Sequence, residues 1–204
     1  GPFAVTADHV YQGFLNLRDK GQLKGFQVAN LGIDLEERLI SRGLHHKIDI
    51  ATFRVTEQEI AEIGKNVVRG SPGAWPAPPK EGDLVFFSGF PGQATIQTDL
   101  LEASFGLHSG LCPVTTTTDH QLKCHFDLTS RVDTIGNGLP PPGYQLGGIS
   151  GGPLLVPYYD QVAKTWGWRL GGVISEAIAT PDYEILTAVR AHFIHPDGRV
   201  GWPA

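Results

Sequence analysis

The stretch of this 204-residue chain best equipped for chemistry is "GYQLGGISGGPLLVPYYD", residues 143–160, in which one serine stands among glycines. A serine hydroxyl is a weak nucleophile until a nearby base removes its proton, and that base must itself be held by a third group. Among eight histidines, His9 follows a compact strand-like run, "VTAD", and a polar strand end of this kind can present an imidazole into a cleft. Asp49 sits in "KIDIATF", where an acid inside an otherwise apolar run is costly to bury unless it accepts hydrogen bonds. The N–H of a histidine would meet that need. The glycines around Ser150 also have a physical role, since a tight turn that aims backbone N–H groups outward requires positive φ or close approach. In such a turn the amides of Gly148 and Ser150 would form an oxyanion hole, one donor of this kind lowering a barrier by about 3 kcal/mol.

The letters from Gly148 to Gly152 also satisfy G-x-S-x-G, the nucleophile elbow of α/β-hydrolases. Context excludes it. An elbow serine opens a helix and precedes its acid and histidine, whereas Gly151, Gly152 and Pro153 follow at once and lead into the strand-like "LLVPYY". Downstream there remain only His192 and His195, which read as solvated or structural, as do His45 and His46.

The elements that must position these groups are short. With 41% hydrophobic residues the chain can build a substantial core, as one domain or two small lobes. Frequent glycine (26) and proline (15) break the apolar runs into pieces, which favours an all-β barrel or sandwich. A net charge of −5 without a Lys/Arg cluster gives no footprint for nucleic acid or an anionic membrane. No run reaches transmembrane length, and nothing fixes the compartment. Cys112 and Cys124 flank a hairpin-like stretch that could place them in disulfide range or leave them as core thiols. His120 and His125 lie close by, but the spacing lacks a paired C-x-x-C knuckle, so a structural hairpin is expected and no metal site.

The Pro/Gly-rich "RGSPGAWPAPPKEGD" (residues 69–83) divides the chain into a lobe of residues 1–70, a linker at 71–83 and a lobe of 84–204. In the first, "PFAVTADHV" reads as a strand ending at Asp8-His9, "FQVANLGIDL" as another, and "HHKIDIATFRV" as a third that contains Asp49. "TEQEIAEIGKNVV" reads as a short helix opened by a Thr56/Glu59 capping box. The second lobe holds several short apolar strands, and "YEILTAVRAHFI" reads as a closing amphipathic helix.

"VTADHV", "DIATFRV" and "GGISGGPLL", in that order, resemble the three catalytic blocks of the chymotrypsin/trypsin-like serine peptidases, especially the bacterial trypsin-like and HtrA-like branches. "GDLVFFSGFPG" and "RLGGVISEA" extend the likeness to the strand that opens the second barrel and the strand that lines the substrate cleft. The resemblance implies two six-stranded barrels with the site between them, and cleavage of protein or peptide substrates through an acyl-enzyme, without cofactor or metal. It implies His9 as general base and acid, Asp49 as its orienting partner, and Ser150 as nucleophile. Ser175, Glu176 and Ala177 would pair with an extended substrate. Tyr144 would lie near the base of the specificity pocket, where trypsin has an aspartate, so strict cleavage after Lys or Arg is not expected; Glu184 would approach the same pocket. Ile149 replaces the aspartate that pairs with a freed N-terminus in digestive enzymes, so activation by that route is not expected. Only "GPFAVTAD" precedes His9, so the first barrel is expected to lack strands, to need a segment or partner domain absent from this chain, or to use other strands. The alternative to an endopeptidase is a catalytically silent module of the same fold, acting as a binding or regulatory domain of a larger protein.

Overall fold

The structure, a computed structural model, describes residues 1–23, 26–28, 31–44, 47–68, 79–97, 103–127, 129, 132–133, 138–141, 143–180 and 182–202. The chain begins with β1 (Phe3–Thr6), α1 (Asp8–Asp19), β2 (Gln27–Val28), β3 (Leu31–Gly32), α2 (Leu35–Arg38), β4 (Leu39–Arg42), β5 (Ala51–Arg54) and α3 (Glu57–Glu62). β5 lies between β1 and β4 in an antiparallel three-stranded sheet, with Thr6 opposite Ala51 on one side and Arg42 opposite Ala51 on the other. Tyr11 and Phe14 of α1 pack on this sheet with Leu35, Ala51 and Phe53.

Three sequence expectations change here. The first strand stops at Thr6, and Asp8 and His9 open a helix, because Tyr11, Phe14 and Leu15 continue at helical spacing and bury one face. "FQVANLGIDL" holds two very short strands, β2 and β3, paired with each other. Asp49 precedes its strand instead of lying inside it: Lys47 takes a left-handed φ of 58°, and Gly43 and Ile50 share a backbone hydrogen bond of 2.9 Å, so residues 48–50 fold back as an irregular turn.

The capping box at α3 forms as expected, Thr56 and Glu59 each bonding the other's backbone. Arg38 adds a two-point contact to the Glu59 carboxylate, at 2.9 and 2.7 Å. Arg38 first, and then the Thr56 N–H, hold that carboxyl down to about 2. The unfolded chain protonates it near the ordinary value of 4.5, so its stabilisation is full above that pH and is lost as pH falls towards 2. Glu59→Gln is therefore expected to flatten the acid side of a Tm-against-pH curve over this window. Circular dichroism melts would show it, and a parallel downward shift at every pH would contradict it.

The rest of the chain forms β6 (Leu84–Gly89), β7 (Thr95–Gln97), β8 (Ala103–Phe105), β9 (His108–Thr117), β10 (Gln121–Asp127), β11 (Pro153–Asp160), β12 (Thr165–Ala179) and β13 (Tyr183–Arg190). Six of these close a barrel in the order β10-β13-β12-β11-β6-β9. The chain is thus all-β in class, one closed barrel following a smaller sheet. The expected C-terminal helix is replaced by β13 and one 3₁₀ turn, Ala191–Phe193. β13 packs Leu186 and Ala188 into the barrel and Val189 against the other sheet, so both faces are buried and the alternation that marks a strand is lost from the sequence. Most of the linker expected at 71–83 lies outside the described residues; its end, Lys80–Asp83, makes a turn whose Gly82 N–H donates to the Val114 carbonyl at 2.9 Å.

A second core joins sheet and barrel. Ile48 and Ile50 pack there with Val173, Val189, Phe193 and Ile194. The segment after β13 returns to the first sheet, where the Thr52 hydroxyl donates to the Gly198 carbonyl at 2.6 Å and the Val200 N–H donates to Ser41 Oγ at 3.1 Å. These ties set the sheet on which α1 and His9 rest against the barrel whose β11 follows Ser150.

Cys112 and Cys124 are free thiols buried in the barrel core, on neighbouring strands. Their mutual hydrogen bond first, and burial second, push the Cys112 thiol far above its ordinary value. His125, next to Cys124 on β10, faces outward against Tyr183, and His120 packs against Phe193 and Trp202. Strand alternation on β10 therefore turns Cys124 and His125 to opposite faces.

Candidate active site

Helix α1 begins at Ala7, which has no side chain to cap the free N–H groups of its first turn. Asp49 supplies the cap from outside the helix. Its Oδ1 accepts the His9 backbone N–H at 2.8 Å, while its Oδ2 accepts the imidazole Nδ1–H at 2.7 Å. The carboxylate is aimed by its neighbours, since Ile48 and Ile50 are 1% and 0% exposed in the core between sheet and barrel and leave Asp49 directed the other way, towards α1. A carboxylate can only accept, so Nδ1 carries a proton, and in the neutral imidazole Nε2 keeps its lone pair. The His9 side chain is 50% exposed, so the imidazole is accessible from solvent.

The Ser150 turn is pinned from both sides. Leu146 and Ile149 are buried in the barrel core, so the polar residue between them and β11 is held at the surface of a rigid layer. Gly148 has φ +94° and a Cβ there would lie 2.7 Å from the Gly92 N, so this position excludes a side chain on two grounds. The Gly147 carbonyl accepts the Gly92 N–H at 2.7 Å, and the Ile149 carbonyl accepts the Gly152 N–H at 3.0 Å. In a trans peptide the following N–H points opposite to its carbonyl, so the Gly148 and Ser150 N–H groups are turned away from these anchors. Among the described residues neither donates to a protein acceptor. Two backbone donors beside the serine hydroxyl are thus left unused by the described residues.

Gly151 brings the turn to the histidine. With φ +88°, it sits so close to β1 that a Cβ would overlap the Thr6 hydroxyl and lie 3.4 Å from the Ala7 N, two residues before His9. Ser150 and His9 share no hydrogen bond. The Ser150 hydroxyl instead donates to the Ser175 carbonyl at 3.1 Å. The structure thus joins His9 to Asp49, and places Gly151, the residue after Ser150, close to the strand-to-helix junction that precedes His9.

Ser175, Glu176 and Ala177 lie on β12 beyond the reach of β11, whose pairing with β12 starts at Pro153 opposite Val173. One edge of this part of β12 pairs with β13, and a bulge between Ile174 and Glu176 sets Ser175 out of register. Tyr144 packs against the barrel core with its ring tilted against His108, centroids 5.5 Å apart, and the buried Glu184 accepts the Leu146 N–H at 2.6 Å. His108 gave no signal in the sequence: its packing beside Tyr144 and Phe87 comes from β9 being the neighbour of β6. A cavity of about 280 Å³ lies beside His9, Gln12, Lys47 and Asp49. An apolar one of about 560 Å³ lies behind Gly151, between β1, α3 and Val173, and includes none of the three predicted catalytic residues.

No family model matches the chain, and no curated protein matches it. Among solved structures it is similar to a Glu endopeptidase, at 17% identity and a TM-score of 0.35, over 70% of this chain and 49% of that one. It is also similar to neuropsin, a serine protease expressed in the limbic system of mouse brain, at 14% identity and a TM-score of 0.42, over 93% of this chain and 79% of that one. The chain thus spans about half the length of the Glu endopeptidase chain. At such identities neither likeness assigns an activity to it.

Proposed function

We propose that the chain is a serine endopeptidase that hydrolyses peptide bonds through Ser150, His9 and Asp49. The observation that carries this reading is the doubly bonded His9–Asp49 pair, set across the Gly151–Thr6 contact from a serine with two unused backbone donors. An extended peptide adds to the open edge of β12 at Ser175–Ala177. The Ser150 hydroxyl rotates off the Ser175 carbonyl and attacks the scissile carbonyl as His9 Nε2 takes its proton. The Gly148 and Ser150 N–H groups hold the charge that develops on the carbonyl oxygen, and Asp49 stabilises the imidazolium. His9 then gives its proton to the leaving amine, and water, deprotonated by the same nitrogen, releases the acyl group. Residues 1–70 supply base and orienting acid, and residues 84–204 the nucleophile and the substrate edge, with Tyr144 near the pocket for the side chain before the cleaved bond.

One observation favours a second reading. The Ser150 proton is engaged by Ser175, as suits a silent module whose cleft binds without cleaving. Labelling with a fluorophosphonate separates the two: Ser150-dependent labelling, absent from Ser150→Ala, is expected. A folded protein in which both chains stay unlabelled is the silent module.

A further inference from the structure

We infer that Arg42, acting through Asp8, is a positioning residue for the His9–Asp49 pair, an inference that rests on the reading of that pair as the catalytic base. Asp8 is the first residue of α1 and only 3% exposed. Arg42, at the end of β4, donates to its two oxygens from Nε at 2.6 Å and Nη2 at 2.7 Å. Nη2 also donates to Gln12 Oε1 at 3.0 Å, so one guanidinium grips both ends of the first turn of the helix. Its plane lies over the Tyr11 ring, 5.0 Å from the centroid.

Two consequences follow for His9. A two-point fork fixes orientation as well as distance, and successive residues of a helix point about 100° apart. Holding Asp8 against β4 therefore sets the rotation of α1 about its axis, and with it the direction of the next side chain, His9. Arg42 also begins the loop that ends with Asp49 and β5, so the first turn of α1 is fastened to both ends of one loop. The second consequence is chemical. Arg42 pairs with the buried Asp8 carboxylate and balances its charge on the β4 side of the helix, while the His9 Nδ1 is bonded to Asp49.

The test compares the full chain with Arg42→Lys, Arg42→Gln and Gln12→Ala. Three readouts are taken: the second-order rate of fluorophosphonate labelling, the low-field ¹H NMR signal of the His9 Nδ1–H, and thermal unfolding. Labelling is expected to slow by up to about 10²-fold in Arg42→Gln, the scale of a small misplacement of a reacting group. Arg42→Lys, which keeps the charge and loses the fork, should fall between Arg42→Gln and the parent, and Gln12→Ala should slow least. The low-field signal is expected to broaden in the same order. Folded variants that label at the parental rate, or that slow while the signal stays unchanged, overturn the positioning role. If Arg42→Gln does not fold, the other two variants decide on the same criteria. A parent that does not label, with a signal that still depends on Arg42, removes the peptidase reading and keeps the clamp.

Discussion

Asp49→Asn is expected to slow acylation of Ser150 by about four orders of magnitude, the scale on which a serine triad loses activity when its imidazole adopts the wrong tautomer. The asparagine fits the same space, and its amide group can donate to Nδ1. The imidazole proton then moves to Nε2, the atom that must receive the serine proton. A second loss accompanies the first, because Asp49 also accepts the His9 N–H at the start of α1, and removing a cap costs about 1 kcal/mol. An asparagine carbonyl keeps part of that bond, so the melting temperature should fall little while labelling nearly stops. Stopped-time labelling and a thermal melt on the same sample check both halves. A variant that labels within tenfold of the parent would take Asp49 out of the site.

Gly148→Ala carries the next largest effect. The methyl group meets the Gly92 N at 2.7 Å, and φ +94° is a conformation that alanine adopts only under strain, of about 1–3 kcal/mol. The peptide between residues 147 and 148 is the soft point, held by a single carbonyl bond to Gly92. Relief of the clash turns it over and withdraws the Gly148 N–H, and losing one such donor costs about 10²–10³ in rate. Gly147→Ala is the built-in control, since a Cβ there meets nothing within 4 Å and φ is not positive. Labelling should collapse for residue 148 and stay near the parent for residue 147, with the His9 low-field proton intact in both. Equal rates at the two positions would end the assignment of Gly148 as an oxyanion donor.

What the sequence made legible were residues whose own surroundings are chemically odd: a serine among glycines, a lone acid between two isoleucines, a histidine after a short apolar strand. The isoleucines beside Asp49 do bury, and Gly148 does take a backbone that side chains avoid. Local pattern failed where tertiary partners decide. β13 reads as a helix because both of its faces are covered, one by the barrel interior and one by the neighbouring sheet. The change from strand to helix at Ala7 is set by Tyr11 and Phe14 finding Phe53 across the sheet. The Arg42–Asp8 fork joins residues 34 apart, and the Gly92–Gly147 bond, which turns a donor, crosses between two loops. No spacing rule encodes either. They become visible only when β4 lies beside β5 and the Ser150 turn beside the end of β6.

The return of residues 194–200 to the first sheet bears on timing. A chain growing on the ribosome contains His9, Asp49 and Ser150 well before it contains Gly198 and Val200, whose bonds to Thr52 and Ser41 fasten the segment after β13 to the first sheet. Synthesis proceeds from the N-terminus, so the sheet beside His9 and Asp49 is fastened by residues translated after all three groups. All three residues of the proposed site are made before this clasp, and a nascent chain that stops short of it carries them without the ties that hold sheet and barrel together.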